Sequence, residues 1–210
     1  MRASASEARP VRRVSRRPSG ARGAALVLLL LALAAPALAE EMALPVDQQV
    51  PLLLKVLTYD RNFEAKAGEE LAIGIVYDPA DRASAAATEQ MGQTLFRFAD
   101  KTVKKLPVRH YTIEYTTAAE LEAFVKARGI GLLYLAPGTS RFLADVLEVA
   151  RSRQVTTATG VPDYVRRGVA VGVGLVQDRP QIFINLAASR AEGSDFDASL
   201  LRIATILGAR

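Results

Sequence analysis

GVAVGVGLVQDRPQIFINLAASRAEGSDFDASLLRIATIL, Gly168 to Leu207, decides how the sheet of this protein ends. Val169–Val176 and Gln181–Leu186 have the apolar, β-branched character of strands, and only Gln177-Asp178-Arg179-Pro180 separates them. Two strands joined so closely form an antiparallel hairpin. Past Asn185, Ser194-x-x-Asp197 reads as a capping box. The helix it opens would carry Phe196, Leu200, Ile203 and Leu207 on one stripe, with Gly208 closing it.

Working backwards from the hairpin, the chain alternates. Val50–Asn62 is expected to be a helix with Pro51 in its first turn, where proline is tolerated. Leu71–Tyr77 is a short apolar run suited to a buried strand. Ala83–Lys105 has helical spacing at Ala87, Met91, Leu95 and Phe98. Val108–Tyr115 alternates as a strand, and Thr117–Arg128 follows as a helix capped by Thr116 or Thr117. Ile130–Ala136 is a further buried strand, Ser140 caps a helix to about Arg153, Val155–Thr159 is a strand and Gly160–Arg167 a loop. Strands and helices in alternation give a mainly parallel sheet covered on both faces. The fold class is therefore α/β: a single-domain three-layer sandwich, mainly parallel, with a C-terminal antiparallel hairpin as its edge.

The front of the chain sets the compartment. Residues 1–22 hold seven arginines and one acid, and Ala24–Ala35 is unbroken apolar sequence. Ala37-Leu38-Ala39 places small residues as a cleavage site before Glu40, so residues 1–39 read as a secretory signal peptide. A membrane span needs roughly 20 apolar residues, and Pro36 ends this run short. Residues 40–49 are a short lead-in and 50–210 the domain. The whole chain has 27 basic and 22 acidic residues, and residues 1–39 hold 7 and 1 of them. That leaves 20 against 21 in the 171 residues from Glu40. The basic balance belongs to the targeting segment and gives no ground for nucleic-acid binding. With no cysteine, the exported chain must hold together by packing alone.

Catalytic signatures are lacking. His110 is the sole histidine and sits in a strand; no G-x-S-x-G elbow accompanies it for a Ser–His–Asp triad, and a zinc site would have to rely on carboxylates. Gly172-Val173-Gly174 lies inside a strand, without the third glycine of a dinucleotide loop, and suits close backbone packing better. Asp145 with Glu148 and Glu120 with Glu122 read as solvated helix faces, and Glu69-Glu70 as a strand-edge pair. Asp78 and Asp81 follow the first strand at the end where α/β sheets place ligands, but Pro79 makes a turn the better reading. Asn185 reads as a structural tie between a strand end and a helix start. No catalytic, cofactor-binding or metal-ligating residue is assigned, and the chain is read as a non-enzyme.

Gly168-Val169, Ile184-Asn185-Leu186-Ala187-Ala188 and Ser199-Leu200-Leu201-Arg202-Ile203-Ala204 together resemble the C-terminal signature of the YfiR family. The likeness extends over most of Val50–Leu207. Gly168, Asn185, Leu186, Ala188, Leu200 and Leu201 are its structural motif positions. Two features depart from the family. Tyr59-Asp60-Arg61-Asn62-Phe63 stands where members often carry Trp-Pro, and the missing cysteines rule out the disulfide control of some members. The resemblance implies a periplasmic regulator that binds the periplasmic sensor domain of an inner-membrane diguanylate cyclase or sensor kinase and represses it. It also implies an outer-membrane lipoprotein as a second partner, and a homodimer is compatible with it. Leu53, Leu57 and Tyr59 on the first helix, and Asp163, Arg166 and Arg167 before the hairpin, are the expected contact residues. The alternative is a periplasmic small-ligand binding protein, against which the short chain weighs. A hydrolase is a weaker third.

Overall fold

In the computed structural model, residues 42–208 are described; the expected signal peptide and the start of the expected lead-in lie outside them. The first helix, α1, runs Val46–Leu57, four residues earlier than expected. Pro51 therefore sits in its interior, on the exposed side, where the carbonyl left without its N–H partner can be solvated. A turn at Thr58–Asn62 leads to a short α2, Phe63–Ala67, and then to β1, Leu71–Tyr77.

Helix α3, Arg82–Phe96, stops well short of Lys105. Asp81 caps it, its side chain accepting from the Ala83 and Ser84 N–H groups. The expected last turns are instead β2, Thr102–Val103, which turns back on β3, Leu106–Glu114. The turn uses Lys104 and Lys105 at φ 47° and 74°, a conformation lysine rarely adopts and sequence patterns do not announce. Helix α4, Ala118–Arg128, is capped by Thr117 and closed by left-handed Gly129. β4 is Ile130–Leu135. Ser140–Phe142 forms a single 3-10 turn, without the expected Ser140 cap, and α5 proper is Leu143–Arg153.

β5, Thr156–Thr159, is followed by a short helix α6, Pro162–Arg166, where a loop was expected. The hairpin is tighter than its four-residue spacer suggested. β6, Val171–Val176, and β7, Arg179–Asn185, are joined by Gln177 and Asp178 alone, both at positive φ. Leu186–Ala191 forms helix α7, capped by the Asn185 side chain. Asp197 caps α8, Ala198–Ile203. The helix ends there, and Thr205–Leu207 is a strand, β8.

The sheet has eight strands in the order β2-β3-β1-β4-β5-β6-β7-β8. β3, β1, β4, β5 and β6 are parallel, β6 and β7 antiparallel, and β8 lies parallel to β7. The hairpin is thus not the edge, because β8 covers it. Helices pack on both faces, as the alternation predicts. One core joins Val50, Leu54 and Met91 to Ile73, Leu132 and Val173. The other joins Leu121, Val125, Val146 and Tyr164 to Val76, Leu133 and Leu135. Gly172 and Gly174 bring strand β6 against α6, since a Cβ on either would collide with Val165 or Pro162. That is the close-packing reading of the paired glycines.

Candidate functional site

Polar chemistry collects at the two ends of the parallel strands, and the ends differ. At the amino end, the Thr58–Asn62 turn, α2, the start of β5 and the segment after α7 converge. Asp60 is fully buried. Its Oδ1 accepts from the Asn62 and Asp195 N–H groups at 3.0 and 2.9 Å, and its backbone carbonyl accepts from Lys104 Nζ at 2.7 Å. Lys66 Nζ stands 3.4 Å from Asp60 Oδ2. It donates to Thr156 Oγ1 at 2.6 Å, Ser194 Oγ at 2.7 Å and the Glu192 carbonyl at 3.3 Å. Ser194, expected in a capping box, is therefore a ligand of the half-buried Lys66 ammonium.

Glu192 is also fully buried. Its carboxyl oxygens accept from the Thr157 N–H and Oγ1, both at 2.7 Å, and Thr157 Oγ1 accepts from the Ala170 N–H. Burial pushes this carboxyl up to about 8, outweighing the Thr157 bonds and the charges of Lys66 and Arg151 that oppose it. Burial likewise lowers the Lys66 ammonium against the pull of Asp60 and Glu192. Outside this knot, Arg61 bridges Asp195 and Asp197 at 3.3 and 2.9 Å. The hydroxyl and N–H of Ser199, with Arg61, hold the Asp197 carboxyl at about 2.

The carboxyl end contains the crevice between β1 and β4, whose onward connections run to opposite sides of the sheet and where α/β sheets usually bind ligands. Here the protein pairs its own groups. Asp78 is buried and pairs with Arg141 at 2.6 Å, and its N–H donates to Ser84 Oγ. Gly138 lies so close to the Asp81 carboxylate that a Cβ would collide with it. The turn reading of Asp78 and Asp81 thus describes what they do. Nearby, Tyr134 donates to Gln49 Oε1 at 2.8 Å, and Gln49 Nε2 donates to the Leu44 carbonyl. Beneath α1 the packing leaves only about 10 Å³, bounded by Leu53, Leu54, Ile73, Met91 and Leu132, no more than a single water requires.

The motif residues form a hinge between hairpin and helices. Asn185 Oδ1 accepts from the Ala188 N–H at 3.0 Å and its Nδ2 donates to the Val165 carbonyl at 2.9 Å. It is the tie expected from sequence, capping α7 and fastening it to α6. Ala188 and Leu200 are buried, Leu186 and Leu201 half-buried, and Gly168 has φ 118°.

The expected contact residues divide. Leu53 and Leu57 are buried, because the apolar stripe of α1 packs onto the sheet, and so they present nothing to a partner. Tyr59 is half-buried, with Lys55 Nζ 5.5 Å from its ring centre. Asp163 and Arg166 are exposed on α6, and Arg167 at its C-terminal cap. Asp163 and Arg166 are 4.0 Å apart, and Arg167 donates to the Ser140 carbonyl at 2.9 Å. His110 is half-buried on β3 near Gly92 of α3, and desolvation lowers its imidazole. Among the described residues no group of three or more His, Cys, Asp or Glu could hold a metal ion, and no helix is long and apolar enough to cross a membrane. Sequence reasoning missed Asp60, Lys66, Glu192 and Arg151. Charged residues in a polar stretch look solvated, and only the glycine of Glu192-Gly193-Ser194 marks a turn that folds them inward.

The sequence profile of a family described as YfiR/HmsC-like matches residues 52–205. No curated protein matches the chain in sequence. In fold it is similar to a conserved domain protein from Vibrio cholerae O1 biovar El Tor, at 15% identity and a TM-score of 0.55. It is also similar to the ABC domain in complex with L-Trp from Streptococcus pneumoniae, at 13% identity and a TM-score of 0.52. Each likeness covers 78% of this chain and 60% of the other. At such identities they speak of the α/β fold and nothing further.

Proposed function

This chain belongs to the YfiR/HmsC-like family, and on that premise we propose that it is an exported regulator of an inner-membrane signalling enzyme. It binds the periplasmic sensor domain of that enzyme, a diguanylate cyclase or a sensor kinase, and represses it. Repression follows if the protein binds the inactive state of the sensor more tightly than the active one. An outer-membrane lipoprotein that competes for the same protein would release the enzyme. The chain itself does no chemistry.

The match over residues 52–205 carries this reading. The geometry supports it in two ways. The hydroxyl–amine contact of Ser194 with Lys66 is tied into the Asp60 knot, and the crevice a ligand-binding α/β sheet would use carries the Asp78–Arg141 ion pair. The same ion pair weighs against a small-ligand binding protein. The surviving contact residues Asp163, Arg166 and Arg167, with Tyr59, are the proposed sensor-facing surface.

The test is a pull-down of Glu40–Arg210, immobilised, against solubilised inner membranes of its own source, with identification of the captured proteins. Capture of a membrane cyclase or kinase, together with raised cyclic-di-GMP or kinase output on deletion, is the expected result. No membrane receptor and unchanged signalling would overturn the proposal, as would a small molecule retained by the purified protein in native mass spectrometry.

A further inference from the structure

A groove opens at the amino end of the sheet, beside the buried knot. It has a volume of about 410 Å³ and is bounded by Arg151, Arg166, Gly168, Asn185, Ala188 and Gly208. Its floor cannot be filled from within. A Cβ on Gly168 would lie 3.3 Å from Arg151 Nη2, and one on Gly208 would lie 2.7 Å from Asn185 Nδ2. The polar atoms of Asn185 are already engaged with Val165 and Ala188. What the groove offers is therefore small apolar residues below and two guanidinium groups on its walls.

Those guanidinium groups are under-used. Among the described residues Arg151 has no carboxylate within 4.0 Å, and Arg166 reaches only Asp163, at 4.0 Å with both side chains more than half exposed. Glu192, whose charge reaches Arg151, lies buried behind it and is pushed up to about 8, so at neutral pH it is mostly protonated and offsets little. Among the described residues no acid lines the groove. A simple inorganic anion would leave most of this open volume to water. A short peptide segment would occupy it, with a carboxylate on an apolar stem laying its methylenes on the alanine floor and its oxygens between the arginines.

We propose that this groove docks an acidic segment of a partner protein, with a Glu or Asp side chain held between Arg151 and Arg166. The proposal deepens the regulatory reading and rests on it only for the identity of the partner as the sensor domain. Arg151 is a contact residue that no sequence motif singles out, and Arg166 acquires a defined ligand chemistry.

The test uses ¹⁵N-labelled Glu40–Arg210, which forms one compact unit, titrated with the peptide acetyl-Glu-Asp-Leu-Glu-Asp-amide. Controls are the same peptide with all carboxylates as amides, and sodium phosphate. The expected result is amide shifts confined to Gly168, Ala187, Ala188, Ala191 and Gly208, absent with the amide peptide. Arg151→Gln/Arg166→Gln should weaken the acidic peptide by roughly tenfold or more, while Arg109→Gln, on the far side of the sheet, leaves it unchanged. Unchanged thermal melting of the double variant shows that the loss is not unfolding. Shifts elsewhere, an unaffected double variant, or phosphate producing the same shifts as tightly as the peptide would each overturn the proposal. If the membrane pull-down succeeds and the double variant still captures the receptor fully, the groove is wrong and the regulatory reading stands. If the peptide binds as expected but no receptor is found, the reverse holds.

Discussion

The two ends of the sheet solve the same problem in opposite ways. At the carboxyl end the buried polar groups are mostly neutral, and the one buried charge, Asp78, reaches out to an exposed arginine. At the amino end Asp60, Lys66 and Glu192 are enclosed together, and Asp60 Oδ2 has no hydrogen bond closer than its 3.4 Å approach to Lys66. The first arrangement places an ion pair at the crevice where α/β sheets usually bind ligands. The second clamps the C-terminal segment, the Thr58–Asn62 turn and the β2–β3 turn onto one point through charges that respond to their surroundings. The end of the sheet where ligands are usual has been made inert, and the end where they are unusual holds the electrostatic tension and the open groove.

The comparison is broken most directly at Lys66. Lys66→Met leaves the Asp60 carboxylate buried without its cation, and removal of one member of such a pair costs about 3–5 kcal/mol. Urea unfolding monitored by circular dichroism should show a loss of that size. A loss below about 1 kcal/mol would mean that the amino end is held by packing, with the ionic contact incidental.

The next largest effect is on pH dependence. The folded Glu192 carboxyl titrates at about 8, against an ordinary value of 4.5. Between those values the folded state holds a proton that the unfolded state has released. Its contribution is complete below about 4.5 and is lost as pH rises to about 8, on the order of a few kcal/mol. Lys66, displaced downward by burial, acts in the opposite sense on the alkaline side. Glu192→Gln cannot titrate and should flatten the fall in melting temperature between pH 5 and 8. Parallel profiles for the two proteins would show that Glu192 is ionised throughout.

How much of this was legible in the sequence depends on which force decided each element. Leu71–Tyr77 and Ile130–Leu135 are fully apolar because both faces of the strand are covered, and their reading as buried strands stands. Asn185 stood out because an amide after an apolar strand has few other uses, and it is indeed a cap and tie. Elements set by unusual backbone were not legible. Lys104 and Lys105 carry no turn signature, so the sequence pattern runs on through β2 as the end of a helix. Leu57 looked available because the apolar stripe of α1 is broad, yet that breadth reflects how much of the helix the core covers. The amino-end knot was least legible of all. Lys66 and Asp60 lie six residues apart, but Glu192 and Ser194 are brought to them only by the full crossing of the sheet, and no local spacing encodes that meeting.

At the carboxyl end, Tyr134→Phe removes a hydroxyl that donates to Gln49 Oε1. The amide oxygen is then left buried without that donor, which costs about 1–3 kcal/mol. The loss should be independent of pH between 5 and 8, since no group in this cluster titrates there. A pH-dependent loss would erase the contrast between a neutral end and a charged one.

The smallest effect is expected where the crevice is closed. Arg141 is exposed over most of its side chain, so Arg141→Gln should cost no more than about 1 kcal/mol. Asp78 retains its turn bond to the Ala80 N–H, and Ser84 still accepts from the Asp78 N–H. The informative measurement is therefore binding, not stability. If Arg141 merely decorates a solid surface, the variant and the parent protein will be equally indifferent to a mixture of amino acids and organic acids in a thermal-shift screen. If instead Arg141→Gln alone creates a saturable small-molecule site, the carboxyl end is a ligand crevice under a single-residue plug. The division between an inert end and a responsive end would then have to be redrawn, with the ion pair as the gate between them.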